Sequence, residues 1–242
     1  MSYIFREHIK QSLAVIAFLI TLTACTSESY DAGDGPNSYL TADLVLLHTS
    51  QDKSVRSALL DDGTTLQFSN PFAQDWLTRP DSVYRALLYY DKTVAASDAA
   101  APNPTATSIV RARSVRPVSV LRPVEAEDME TLRTDPVGFE SLWMSKNKSY
   151  INLSLLLKSG KPEADDALHA LGIVSHGTTT DADRRRTLHL TLYHDQGGVP
   201  AYYTVQQYVS IPTQLLEESD TVELTLNTYN GKKVVKVAVS NL

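Results

Sequence analysis

Apolar and polar residues alternate along most of this chain with a period of two, the spacing of a β-strand with one face on a core and the other toward water. The stretch "YLTADLVLLHT" (39–49) is aliphatic and β-branched, and "SVRSALLDDGTTLQF" (54–68) holds Asp62-Gly63 between two apolar segments. Asp-Gly in that place predicts a hairpin with a primed two-residue turn, which requires positive φ. "DSVYRALLYYD" (81–91) and "TSIVRARSVRPVSVL" (107–121) continue the series. In the last of these, Ile109, Val115 and Val118 interleave with Arg111, Arg113 and Arg116, the pattern of a strand with one wet face, and Pro117 marks an edge or a bulge. Five short strands, with a short element near "PFAQDWL", predict a small closed barrel of the OB type over 39–124. Residues 92–108, rich in Ala, Ser and Pro, carry no bulky apolar side chain after Val94 and read as a protruding loop.

The alternation stops in "RPVEAEDMETLRTDP" (122–136), where charge rises between two prolines. A linker is expected over 125–136. A second strand series then fills 137–242. "GFESLWMSKNKSYINLSLLLKSG" (138–160) reads as a hairpin turning at Lys146-Asn147-Lys148, and "ALHALGIVSHG", "RRTLHLTLYHD" and "AYYTVQQYVSI" follow. "TVELTLNTYNGKKVVKVAVS" (221–240) places Asn230-Gly231 between two alternating strands. About seven strands in that length predict an antiparallel β-sandwich. Only "PTQLLEES" (212–219) looks helical, and briefly.

The first 38 residues follow a different pattern. A short basic region with Arg6 and Lys10 precedes an uncharged apolar run, Ser12 to Ala24. That run is shorter than the roughly 20 residues a membrane span needs, and it has the layout of an export signal. Leu22-Thr23-Ala24-Cys25 resembles the bacterial lipobox, so cleavage is expected between Ala24 and Cys25, with acylation of Cys25. Several acyl chains hold a protein to a membrane firmly where one holds it marginally. Residues 25–38, polar and Gly-containing, then read as a lipidated tether. Its acids Glu28, Asp31 and Asp34 resemble the acidic stretch of surface-exposed lipoproteins in Bacteroidota, and equally suit a solvated linker. The face of the outer membrane is left open.

Composition narrows the chemistry. Cys25 is the single cysteine, so with its thiol acylated there is no thiol for a disulfide, a metal or nucleophilic attack. The 242-residue chain has a formal net charge of −6, which argues against a nucleic-acid partner.

"TDPVGFESLWMSKNKSYINLSLLL", "HALGIV" and "LHLTLYHD" together resemble the C-terminal half of the NigD-like family of Bacteroidota lipoproteins. "SALLDDGTTLQF", "SVYRALLYYD" and "SVRPVSVL" resemble that family's N-terminal half. The resemblance covers nearly all of the chain after Cys25. It implies an OB-like barrel followed by a β-sandwich, anchored to the outer membrane. The 92–108 insertion departs from the compact first domain of that family.

No catalytic or cofactor signature emerges. His189 and His194, and likewise His169 and His176, are separated by odd numbers of residues, which puts each pair on opposite faces of a regular strand and disfavours metal chelation. No G-x-S-x-G elbow is present, and "DQGGV" precedes no helix that could cradle a phosphate. Glu125, Glu127, Asp128 and Glu130 crowd the expected linker, where acids ordinarily serve solvation. Trp143 and Tyr150 read as core residues. In the pairs Tyr89-Tyr90 and Tyr202-Tyr203, adjacent strand positions face opposite ways. One ring of each pair is thus available to a domain interface, the favoured reading, or to a partner. The expected function is a non-enzymatic binding or assembly lipoprotein with an envelope protein or glycan partner. The alternative is a glycan hydrolase built from scattered acids.

Overall fold

The computed structural model describes residues 40–92, 108–161, 167–216 and 218–239. Cys25, the tether and nearly all of the 92–108 loop lie outside the described residues. Five strands form the first body: β1 (Leu40–Thr49), β2 (Val55–Leu60), β3 (Thr65–Phe72), β4 (Val83–Lys92) and β5 (Ser108–Pro117). They close into a barrel in the order β1-β2-β3-β5-β4, with β3 and β5 parallel and β4 returning to β1. That is the expected OB-type arrangement. Its core is apolar, centred on Val45, Leu47, Ala86 and Leu88, and Trp76 packs against it from a turn in "PFAQDWL".

Nine further strands form two facing sheets. β6 (Ser119–Val120) and β7 (Pro123–Glu125) come first, followed by β8 (Gly138–Met144), β9 (Tyr150–Ser159), β10 (Ala170–Thr180) and β11 (Arg186–Asp195). β12 (Tyr203–Pro212), β13 (Thr221–Thr228) and β14 (Gly231–Ala238) complete the series. One sheet runs β14-β13-β11-β10-β7 and the other β6-β12-β9-β8. Between them Ile151, Leu153, Leu155, Leu190, Leu192, Leu224 and their neighbours form a dry core. The sandwich mixes directions: β11–β13, β10–β7 and β12–β6 are parallel pairs within the antiparallel framework. The β11–β13 pair is parallel because β12, between them in sequence, belongs to the opposite sheet. The expected helical stretch is one 3-10 turn, Thr213–Leu215.

Three local expectations differ from the structure. The chain changes bodies at Val118, ahead of the expected linker: β6 and all but the last residue of β7 fall within the 39–124 expected for the barrel, yet both strands pair with sandwich strands. Much of the expected linker 125–136 is itself tied down. Asp135 N–H donates to His194 O, His194 N–H to Arg133 O, and Asn227 Nδ2 to Thr134 O. Backbone groups with partners of this kind are structural whatever the local charge.

The hairpin turns also differ. In Leu60–Thr64 only Gly63 has positive φ, 89°, and its N–H donates to Leu60 O. At Thr228–Gly231 only Gly231 does, 101°. Each is an ordinary turn ending in a left-handed glycine, the three-residue alternative to the primed turn.

Candidate functional site

The barrel meets the sandwich on the outward face of the four-stranded sheet, through a charged strand residue. Arg85, on β4, is 4% exposed. Its Nη1 and Nη2 donate to Asp61 Oδ1 and Oδ2 at 2.6 and 2.7 Å. Nη2 also donates to Asn152 Oδ1 at 3.0 Å, and Nε donates to Ser210 Oγ at 3.1 Å. Ser210 Oγ donates to Asn152 Oδ1, and Asn152 Nδ2 donates to Asp61 Oδ2. The guanidinium carbon lies 4.3 Å from the centre of the Tyr150 ring. A bidentate, ring-stacked guanidinium satisfies its donors in a fixed geometry that lysine could not reproduce. Backbone bonds reinforce the join: Asn147 N–H donates to Asp61 O, and Val118 N–H, where the chain changes bodies, donates to Arg85 O.

Beside this lock the interface opens into a cleft of about 430 Å³, within the range of ligand-binding pockets. Its floor is aromatic. Trp143 and Tyr208 of the sandwich meet edge to face with ring centres 6.3 Å apart, and Tyr89 of the barrel packs with them on Leu44 and Leu87. Its walls carry Asp43, Asp61, Asp62 and Glu140 against one cation, Lys146. Glu140 Oε2 accepts from Ser154 Oγ at 2.6 Å and from Gln206 Nε2 at 2.5 Å, and these donors hold its carboxyl below the ordinary range. The Thr64 backbone N–H does the same for Asp62. Asp43 Oδ2 accepts from Tyr90 Oη at 2.8 Å; burial, then this carboxylate, raise the phenol well above its usual value.

The tyrosine pairs thus divide. Tyr89 lines the cleft, and Tyr90 is buried in the barrel core. Tyr202 and Tyr203, 79% and 55% exposed, stand at the start of β12 and do not line the cleft. Trp143 and Tyr150, read as core, both lie at the junction of the two bodies. Glu125, Glu127, Asp128 and Glu130 are all exposed and line no cleft among those described.

His189 and His194 do face opposite ways on β11, but a cross-strand pairing went unread. His169 Nδ1 lies 3.0 Å from His194 Nε2, with the rings stacked. His194 Nδ1 lies 3.0 Å from Asp135 O, which can only accept, so Nδ1 carries the proton and Nε2 receives one from His169. Burial, then the neighbouring His194, lowers the affinity of His169 for a further proton. Among the described residues no three His, Cys, Asp or Glu side chains are grouped to hold a metal ion.

Sequence reasoning missed Arg85, Asp61, Asn152, Ser210 and Glu140. The one usable signal was Arg85, a lone charge inside the apolar run "SVYRALLYY".

A family model described as the NigD-like C-terminal beta sandwich domain matches residues 120–239. Solved structures share the wider fold. A NigD-like immunity protein of Bacteroides caccae is 22% identical with a TM-score of 0.58, over 81% of this chain and 91% of its own. A protein of Bacteroides fragilis provisionally named a lipoprotein is 14% identical with a TM-score of 0.57, over 83% of this chain and 98% of its own. A toxin-related protein of Parabacteroides distasonis, also provisionally named, is 18% identical with a TM-score of 0.55, over 82% and 92%. No curated protein matches the chain. Residues 120–239 are thus a NigD-like C-terminal beta sandwich domain, and the barrel-and-sandwich fold as a whole is shared with a NigD-like protein.

Proposed function

We propose that this chain is a non-enzymatic binding protein of the cell envelope, held to the outer membrane by lipid on Cys25, and that the barrel–sandwich cleft receives its partner. The cleft carries the proposal, because aromatic rings and polar groups from the barrel and the sandwich converge there beside the Arg85–Asp61 lock. The lipobox at Cys25 and the provisional lipoprotein name of one similar structure support the anchor. The immunity name of another supports a binding role. The acids favour binding over hydrolysis. A general acid needs a raised pKa, whereas Glu140 is held low by its donors and Asp61 is committed to Arg85.

Capture from native outer membrane tests the reading. Ser141 is an exposed residue on the cleft wall, so Ser141→Trp fills the cleft without removing packing. The wild type is expected to recover a partner that the folded variant does not. Equal recovery by both would place binding elsewhere.

A further inference from the structure

We infer that the cleft recognises a cationic polypeptide segment, receiving a lysine or arginine side chain over its aromatic floor. This rests on the cleft being the binding site and names the chemistry of what enters it.

Charge complementarity selects the occupant. Four carboxylates and one ammonium line the cleft, and Arg85 answers Asp61 from behind. Asp43, Asp62 and Glu140 therefore face Lys146, which is highly exposed and no closer than 3.9 Å to Asp62. An ion pair of that kind is weak in water. The donors on Glu140 and Asp62 keep both carboxylates charged at neutral pH.

The floor suits the same guest. Trp143, Tyr208 and Tyr89 are half-buried, and ring faces attract ammonium and guanidinium groups. Arg116 already lies over one face of Tyr89, 5.8 Å from its centre, so Trp143 and Tyr208 are the rings that remain for a guest. The interface already uses this recognition within the chain: Arg85 stacks on Tyr150 while its fork engages a carboxylate. The cleft repeats the combination of rings and carboxylates on its open side.

Rival occupants fit less well. A neutral glycan gains from the rings but leaves the excess negative charge unanswered. A divalent ion needs converging ligands, and among the described residues no three acids are grouped for one. The chain's own tether carries Glu28, Asp31 and Asp34, of the same sign as the walls.

Trp143 reports on the cleft directly, because the chain has two tryptophans and Trp76→Phe leaves it alone. In that background, hexa-arginine peptide is expected to shift the Trp143 emission along a saturable isotherm that weakens with added salt. Asp43→Asn, Asp62→Asn and Glu140→Gln together preserve the hydrogen-bond acceptors and should weaken binding about tenfold or more. Glu125→Gln, Glu127→Gln and Asp128→Asn together change net charge equally, away from the cleft, and should leave affinity nearly unaltered. No emission change, or equal weakening by both triple variants, overturns the inference. Saturable binding of chitohexaose in place of hexa-arginine also overturns it, while leaving the cleft as the binding site. Failure of the cleft itself shows separately, as partner capture that Ser141→Trp does not impair.

Discussion

The two faces of β9 lie a few ångströms apart and solve opposite problems. Ile151, Leu153 and Leu155 point into the sandwich core, among aliphatic side chains such as Leu190, Leu192 and Leu224. Asn152 and Ser154, as deeply buried, point toward the barrel and the cleft, where each group is matched to a named donor or acceptor. The first face is a matter of volume and area, tolerant of which aliphatic residue fills it. The second is a matter of geometry. Its guanidinium, carboxylate, amide and hydroxyl satisfy one another in one arrangement, which fixes how the barrel is placed and so shapes the cleft. Dry cores stabilise each body; the polar seam positions one body on the other.

Loss on the dry face should be the largest effect and beyond local repair. Leu153 is fully buried, and Leu153→Ala should cost about 4 kcal/mol in denaturant unfolding, through lost transfer energy and a residual cavity. A loss below about 1 kcal/mol would mean that the core collapses around the gap and is looser than its burial indicates.

Breaking the polar face should cost less and be repairable. Asp61→Ala strands Arg85 and should lower stability by about 3 kcal/mol, moderated because Asp61 is partly exposed. Adding Arg85→Met removes the stranded charge and should bring stability back to within about 1 kcal/mol of wild type. Failure of that rescue would make the pair a net source of stability, erasing the contrast between the faces.

Acid should add a smaller effect, at the His169–His194 pair. Burial and His194 lower the His169 pKa below its ordinary 6.5. The unfolded chain therefore takes up that proton more readily than the folded one. The His169 contribution is fully present above pH 6.5 and is lost as pH falls through the lowered folded value. Wild-type stability should fall more between pH 6.5 and 5 than that of His169→Gln, measured by urea unfolding at each pH. Parallel curves would show that the histidine pair carries no such linkage.

Strand existence was legible because period-two alternation records one buried face, and twelve of the fourteen described strands were foreseen from it; β6 and β7, two and three residues long, are too short to show a period. The seam was not legible, for the same reason. In "YINLSLLL" Asn152 and Ser154 look like a solvated face, and period alone cannot tell water from a second body lined with polar groups. Charge misled at 125–136, where backbone bonds with His194 and a side-chain bond from Asn227 Nδ2 outweigh composition. At Asp62-Gly63 the dipeptide correctly marked a turn, but two turn types share that signature and φ at Asp62 separates them. Of the cleft, Tyr89 was foreseen as one of an interface-capable pair. Glu140, Tyr208 and Asp43 come together only through strand order, which local pattern does not contain.

That the polar seam, and not the dry core, sets the placement of barrel on sandwich can be measured with backbone residual dipolar couplings. The variant to compare with wild type carries Arg85→Met, Asp61→Leu, Asn152→Leu and Ser210→Ala, an apolar seam of similar volume that should fold with near-native stability. In the wild type, amides of β1–β5 and of β8–β14 should fit one alignment tensor. In the variant each set should still fit well by itself, with two tensors that differ in orientation or magnitude. A single tensor fitting both bodies of the variant would contradict the account, because the placement would then survive without the groups held to define it.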